Sequence, residues 1–191
     1  MIDTRKDKYY EGKFLIASPT MSDFRFNKVV IFVCSHSSKG SMGIIVNKPA
    51  FEIKFRDLLS QLKINHNAKI SYPNVYFGGP VESGRGFILH SNDYLTESSS
   101  IIIKNNLHLS ATLDILEDIA KGKGPQKCLL TLGCSGWGPG QLEQELDSNS
   151  WIVADYCEEI IFECDDSEKW NKAFARLGVN PSKLSPFSGS A

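Results

Sequence analysis

No stretch of this 191-residue chain approaches the roughly 20 consecutive apolar residues that a membrane helix needs, so no spanning helix is expected. The charged start Met1-Ile2-Asp3-Thr4-Arg5-Lys6-Asp7-Lys8 leads into no apolar signal segment, and a cytoplasmic protein is the expectation. The five cysteines (Cys34, Cys128, Cys134, Cys157 and Cys164) are odd in number and form no C-x-x-C pair. That argues against a disulfide framework or a zinc knuckle and for reduced thiols. Lys and Arg are missing altogether from Cys128 to Glu168, where ten acidic residues stand. Residues 1–127 carry 17 basic and 12 acidic side chains, and the last 23 carry four basic and none acidic, so the net charge is only -1. An acidic stretch of this size repels phosphate backbones, and direct nucleic-acid binding is not expected. It reads as a solvated acidic surface, with attraction of a basic partner as the sharper reading. There is no internal repeat and no shift of composition that would mark a linker.

What is present suits one soluble globular domain over residues 1–191: 41% hydrophobic and 23% charged residues leave enough apolar side chains for a sizeable core. Residues 1–12 read as a polar lead-in and 180–191 as a frayed tail. Strands are expected at Lys13–Ala17, Lys28–Cys34, Met42–Val46, Val75–Phe77, Gly86–His90, Ile101–Ile103, Trp151–Ala154 and Ile160–Phe162. The run Val29-Val30-Ile31-Phe32-Val33 is β-branched and aromatic enough to be central in a sheet. Helical spacing places a short helix at Lys54–Leu62 and a longer one at Ser110–Lys121, with Ser110 as N-cap and Gly122 at its end. A closing helix is expected over Ser167–Leu177. Adjacent strands with short turns and few helices give an α+β class with a largely antiparallel sheet.

The densest motif runs from Leu129 to Leu146. It reads as a buried strand, a glycine-rich turn around Trp137, and a helix beginning at Pro139. Gly133-x-x-x-x-Gly138 has the spacing of a phosphate loop, but Pro139-Gly140 stands where Lys and Ser or Thr are required. Ser135 has Gly133 before it but Trp137 after it, so the nucleophile-elbow pattern also fails. No cofactor and no metal are expected. The weak catalytic candidates are Cys134 and Ser135 as nucleophiles, with His36 or His90 as base. Cys134 is placed near a helix N-terminus, a position that lowers a thiol pKa. His36 and His90 both end strands and are both followed by Ser, which lets them converge on one rim. His66 and His108 read as surface residues. Pro19, Asn47, Gly78, Gly79 and Pro80 also fall at strand ends. With His36, His90, Gly136, Trp137 and Gly138 they form the candidate binding set, a cleft near Trp137, Gly79 and His90. The expected helix over 110–121 turns Asp114, Glu117 and Asp118 outward, which argues against a DNA-reading helix.

Several ordered blocks together resemble the bacterial YqgE/AlgH family. They are Phe14-Leu15-Ile16-Ala17-Ser18-Pro19; Val30 to His36 with Gly43-Ile44-Ile45-Val46-Asn47-Lys48-Pro49; Phe77-Gly78-Gly79-Pro80-Val81 with Arg85-Gly86-Phe87-Ile88-Leu89-His90; and Gly136-Trp137 with Gly140-Gln141-Leu142-Glu143-Gln144-Glu145-Leu146. The resemblance implies an α+β fold with a coiled, partly barrel-like antiparallel sheet flanked by helices. Some members of that family carry the label of transcriptional regulator of alginate synthesis, and it brings no established catalytic residues or ligand. Where this chain has Cys134-Ser135 the family usually has Tyr-Ala, so a nucleophile there is peculiar to this chain. The expected function is a non-enzymatic module that binds an unknown small molecule or protein. A regulator of transcription acting through a protein partner, and a Cys- or Ser-dependent hydrolase or thiol enzyme, are the alternatives.

Overall fold

The computed structural model describes residues 9–67, 70–95, 100–103, 106–181 and 184. The lead-in expected over 1–12 lies outside these residues as far as residue 8, and so does all of the expected tail except residues 180, 181 and 184. The strands are β1 (Lys13–Ala17), β2 (Val30–Ser37), β3 (Gly40–Ile45), β4 (Val75–Phe77), β5 (Val81–Ser91), β6 (Ile101–Ile103), β7 (Leu107–Ser110), β8 (Cys128–Trp137) and β9 (Trp151–Asp155). The helices are α1 (Phe55–Gln61), α2 (Leu113–Ala120), α3 (Gln141–Asp147), α4 (Glu158–Phe162) and α5 (Asp166–Arg176). The strands form one curled sheet in the order β6-β7-β5-β8-β3-β2-β1-β9, antiparallel throughout except that β4 runs parallel beside β8. The α+β class and the antiparallel sheet are therefore as the sequence indicates. Bulges at Val33/Ser35 in β2 and Val81/Gly86 in β5 add local twist and help the sheet to curl.

Both faces of the sheet are covered, which explains the continuous apolar runs of β1 and β2. One face packs Phe14, Ile16, Phe32, Ile44, Phe87 and Leu89 against Trp170 and Phe174 of α5 and Ile160 and Ile161 of α4. The opposite face is shared. Leu15, Ile31, Val33 and Ile45 meet Leu142 of α3 with Trp137 and Trp151. Ile88, Leu130 and Val75 meet Phe55 and Leu59 of α1 and Ile115 and Ile119 of α2. A buried ammonium anchors α5. Lys169 Nζ donates to the carbonyls of Val46 and Ile161, both at 2.8 Å, and stands 2.8 Å from Asp166 Oδ1. It also lies 5.3 Å from the centre of the Tyr76 ring, whose hydroxyl donates to Asp166 Oδ2 at 3.2 Å. Burial and that carboxylate push the phenol pKa up to about 12.

β8 joins the two halves of the sheet. Its first half pairs with β5 on one side and β4 on the other, and its last three residues pair with β3. Gly78 fills the seam between β4 and β3, donating its N–H to Leu132 O and accepting from Ile45 N. The approach is backbone against backbone. A Cβ on Gly78 would stand 2.2 Å from Gly133 O, and one on Gly79 would stand 2.3 Å from the Cys134 carbonyl carbon. Gly79 adopts φ +149° and Gly133 φ +72°, conformations that disfavour any other residue.

The structure corrects the sequence reading in several places. The expected turn around Trp137 is the last part of β8, and Trp137 is a strand residue paired with Ser41. Helix α3 starts at Gln141 with Gly140 at φ +73° as its N-cap, so Pro139 precedes it. Ser110 is not a cap: it closes β7, a strand not anticipated, and Thr112 caps α2. Residues 160–162 lie in α4, where i, i+1 apolar residues that suggested a strand both reach the core of the α4–α5 corner. β5 begins five residues before the expected Gly86. Replacing Gly79 with Ala should cost at least about 3 kcal/mol, from strain of about 1–3 plus overpacking of similar size. Gly84→Ala, which meets nothing within 4 Å, should change stability by less than about 1 kcal/mol. Urea denaturation of both variants checks the pair.

Candidate functional site

The structure distributes the sequence-predicted residues along the sheet instead of gathering them. His36 on β2 is buried, its Nδ1 accepting from Tyr10 N at 3.1 Å and its Nε2 donating to Glu143 Oε1 at 3.0 Å. Those partners assign a neutral imidazole with both nitrogens occupied. Trp137 Nε1 and Trp151 Nε1 both donate to Glu145 Oε2, at 2.9 and 2.7 Å, and Gln141 Nε2 donates to Glu145 Oε1 at 2.9 Å. Glu143 and Glu145, on either side of the buried Leu142 around the helix, thus tie α3 to β2, β8 and β9. Gly138 adds one bond, donating its N–H to Gln141 Oε1 at 3.0 Å. Asn47 closes the end of the β2–β3 hairpin by accepting from Val30 N at 2.8 Å and donating to Lys28 O at 2.9 Å. It also borders a 380 Å³ cleft with Lys28, Pro49, Phe51 and Trp170. Gly78 and Gly79 cross β8 as described, while Pro19 and Pro80 are exposed turn residues. A Cβ on Gly136 would meet only Val81 Cγ2, at 3.6 Å.

His36 and His90 do not converge on one rim. His90 is in register with Cys128 and His36 with Ser41, which pairs with Trp137 at the other end of β8. Nine residues of strand, about 30 Å at ~3.3 Å each, separate the two positions along β8. His90 is buried, with Nδ1 donating to Ser91 O and Nε2 accepting from Ser110 Oγ, both at 2.9 Å. His108, read as a surface residue, is buried beside it, whereas His66 is exposed. Cys134 is a buried strand residue and not a helix-end thiol. Burial, then the nearby Glu82, pushes its pKa up, opposite to the expected lowering. Among the described residues Ser135 Oγ bonds only to Gly78 O, at 3.4 Å, and has no base beside it. Among the described residues no group of three or more His, Cys, Asp or Glu is placed to hold a metal, and no helix is long and apolar enough to cross a membrane.

The acidic segment is a largely solvated face, seven of its ten acids being exposed, and several of them meet partners elsewhere in the chain. His36 meets Glu143, Lys13 meets Asp155, Lys127 meets Glu158 and Glu163, Lys169 meets Asp166 and Lys172 meets Glu159. Every one of these cationic or histidine partners lies outside residues 128–168. The run of acids therefore ties α3, α4 and β9 to the rest of the chain.

A different site emerges between α1 and α2, over the end of β5. A groove of 340 Å³ is walled by Leu58, Leu59 and Leu62 of α1 and by Leu113 and Leu116 of α2. Its floor is Gly86 and Ile88 of β5 with Leu130 and Leu132 of β8, and Ala111 and Thr112 close its far corner. The floor is deep because Gly84 and Gly86, on the same strand face as Ile88, carry no side chain. Arg85 also borders the groove, with its guanidinium over the Phe87 ring at 5.1 Å. Leu62 and Leu113 remain 45% and 56% exposed on its lips. The sequence reading missed this place. Its signal was the pair of glycines in Gly84-Arg85-Gly86 together with more leucines on α1 and α2 than the core takes up.

The comparisons with known proteins bear on the whole chain. A family model described as AlgH-like matches residues 14–182. The chain belongs to the AlgH-like family. It is 48% identical over 182 residues to a UPF0301 protein of Paracoccus denitrificans, covering 94% of this chain and 96% of that one. It is 47% identical to a UPF0301 protein of Nitrobacter hamburgensis, covering 96% and 88%. Its fold matches the solution structure of the AlgH protein from Pseudomonas aeruginosa with a TM-score of 0.79 and 37% identity, covering 97% of each chain. A Corynebacterium diphtheriae protein shares the fold at TM-score 0.69 and 20% identity.

Two outcomes check the structural roles assigned to the signature of this AlgH-like chain. Glu145→Ala leaves two buried indole N–H groups unpaired and should cost about 2–4 kcal/mol in denaturant unfolding. Iodoacetamide at neutral pH should label the half-buried Cys157 and Cys164 before Cys134, read by peptide mass mapping. Cys134 reacting first would contradict its buried, high-pKa state.

Proposed function

We propose that this AlgH-like protein is a non-enzymatic binding module whose site is the groove between α1 and α2. The observation that carries the reading is the groove itself, an apolar cavity of 340 Å³ in which Gly84 and Gly86 leave the floor open. Ligand cavities are concave, mostly apolar and of about 300–1,000 Å³, with a few polar groups that fix orientation. Here Thr112 and Gln61 supply polar groups, and Arg85 is the one charged residue among the lining. A ligand for this site is therefore a small, largely apolar molecule. A cavity of about 150 Å³ lined by aliphatic residues already holds one benzene, so this one suits a ring with a chain or a second ring. The catalytic alternative draws no support from the buried Cys134 and Ser135 or from two histidines whose ring nitrogens are all engaged.

The neutral fluorophore N-phenyl-1-naphthylamine serves as the probe. It should bind saturably with one site per chain. In Gly86→Val the new side chain fills the floor, since a Cβ there meets only Leu130 Cδ1 at an ordinary 3.6 Å. That variant should keep its thermal midpoint within about 4 °C, a change of about 1 kcal/mol or less, while its probe affinity falls about tenfold or more. Unchanged affinity in a folded Gly86→Val protein would overturn the assignment of the site.

A further inference from the structure

We propose that acid opens this groove through a pair of buried histidines, His90 and His108, that hold its far corner. The proposal rests on the groove being the binding site only for its effect on ligand affinity; the opening itself stands on separate geometry.

His90 on β5 and His108 on β7 are direct cross-strand partners, 1% and 6% exposed, with ring centroids 5.6 Å apart. Ser110, the last residue of β7, donates its hydroxyl to His90 Nε2. The next three residues, Ala111, Thr112 and Leu113, form the corner of the groove. The His90–Ser110 bond therefore sets where β7 stops and where the wall of α2 begins. β7 is held by β5 and by the three-residue edge strand β6. Among the described residues, only this short edge strand lies beyond β7 on that side.

A proton on His90 places a cation inside this packing. From β7, His90 faces His108, and from β8 it faces the Cys128 thiol, which burial pushes up to about 11 and keeps neutral. After β5, Tyr94 meets it edge-on at 5.8 Å, and the Tyr94 hydroxyl bonds Asp118 of α2 at 2.8 Å. Ser100 Oγ lies 3.3 Å from His108 Nδ1. The Asp93 carboxylate favours a charged His90, but it already accepts from Ser91 Oγ and from Gln126 N. Burial outweighs it, and the facing imidazole adds to burial, so His90 is held below the ordinary histidine value of 6.5. Because the folded pKa of His90 is depressed, the stability its contacts support is complete above about 6.5 and is lost as the pH falls through the folded value. The loss concentrates at β7 and its corner.

The test is amide hydrogen exchange of the full chain at about pH 7.5 and pH 5, expressed as protection factors, with N-phenyl-1-naphthylamine titrations at both. Protection of residues 107–110 should fall about tenfold or more at the lower pH while β1, β2 and β3 keep theirs, and probe affinity should fall about fivefold. The double variant His90→Gln/His108→Gln should flatten both dependences. If it does not fold, His108→Gln alone should weaken both. Equal protection at the two pH values, a loss spread evenly over the sheet, or an unchanged pH response in the folded variants would overturn the latch. A corner that loosens with no change in probe affinity would uphold the latch and overturn the groove as the binding site.

Discussion

The close crossing of two backbones at Gly78-Gly79 and Gly133-Cys134 is the constraint on which the rest of the structure depends. β8 must serve two half-sheets at once, pairing with β5 and β4 along its first half and with β3 along its second. That change of partner works only if another chain segment fills the seam, and Gly78 does so with one bond to each side. The contact distances leave no room for a side chain at Gly78, Gly79 or Gly133. The position of Trp137 at the end of β8, beneath α3, follows from it. The glycines that first suggest a phosphate loop are there for steric reasons.

Around that crossing, the polar residues of the signature act as clamps. One carboxylate, Glu145, holds two indoles, and Glu143 holds His36. Lys169 makes the corresponding tie on the opposite face, where its buried ammonium meets two carbonyls and Asp166. A buried charge held by such partners is costly to break, since removing one leaves the other stranded. These residues explain why the signature is rich in Gly, Trp and Glu without requiring chemistry from it.

Much of the fold was legible in the sequence because its strongest signals are local. The β-branched run of β2 declares a central strand, and the hairpin to β3 follows from Ser37 to Gly40. What was not legible depended on partners far away in the chain. Gly133 looks like a strand end because glycine usually marks a turn, and it does take φ +72°, yet pairing with Val81 and then with β3 carries β8 on to Trp137. β7 was hidden because Leu107-His108-Leu109-Ser110 is a short alternation beside a good helix, so Ser110 looked like a cap. His108 read as polar surroundings, although its strand pairs with β5 and buries it. The expected site residues could not be grouped from the sequence, since strand order sets which ends meet. The groove left only an indirect trace, two glycines on one strand face opposite surplus leucines.

The account separates a structural signature from a binding groove, and a methyl- and indole-resolved NMR titration with N-phenyl-1-naphthylamine tests that separation most directly. The predicted result is shifts confined to the methyls of Leu58, Leu116, Leu130 and Leu132, with the indole N–H signals of Trp137 and Trp151 unmoved. Shifts centred on those indoles, with the leucine methyls unchanged, would contradict it.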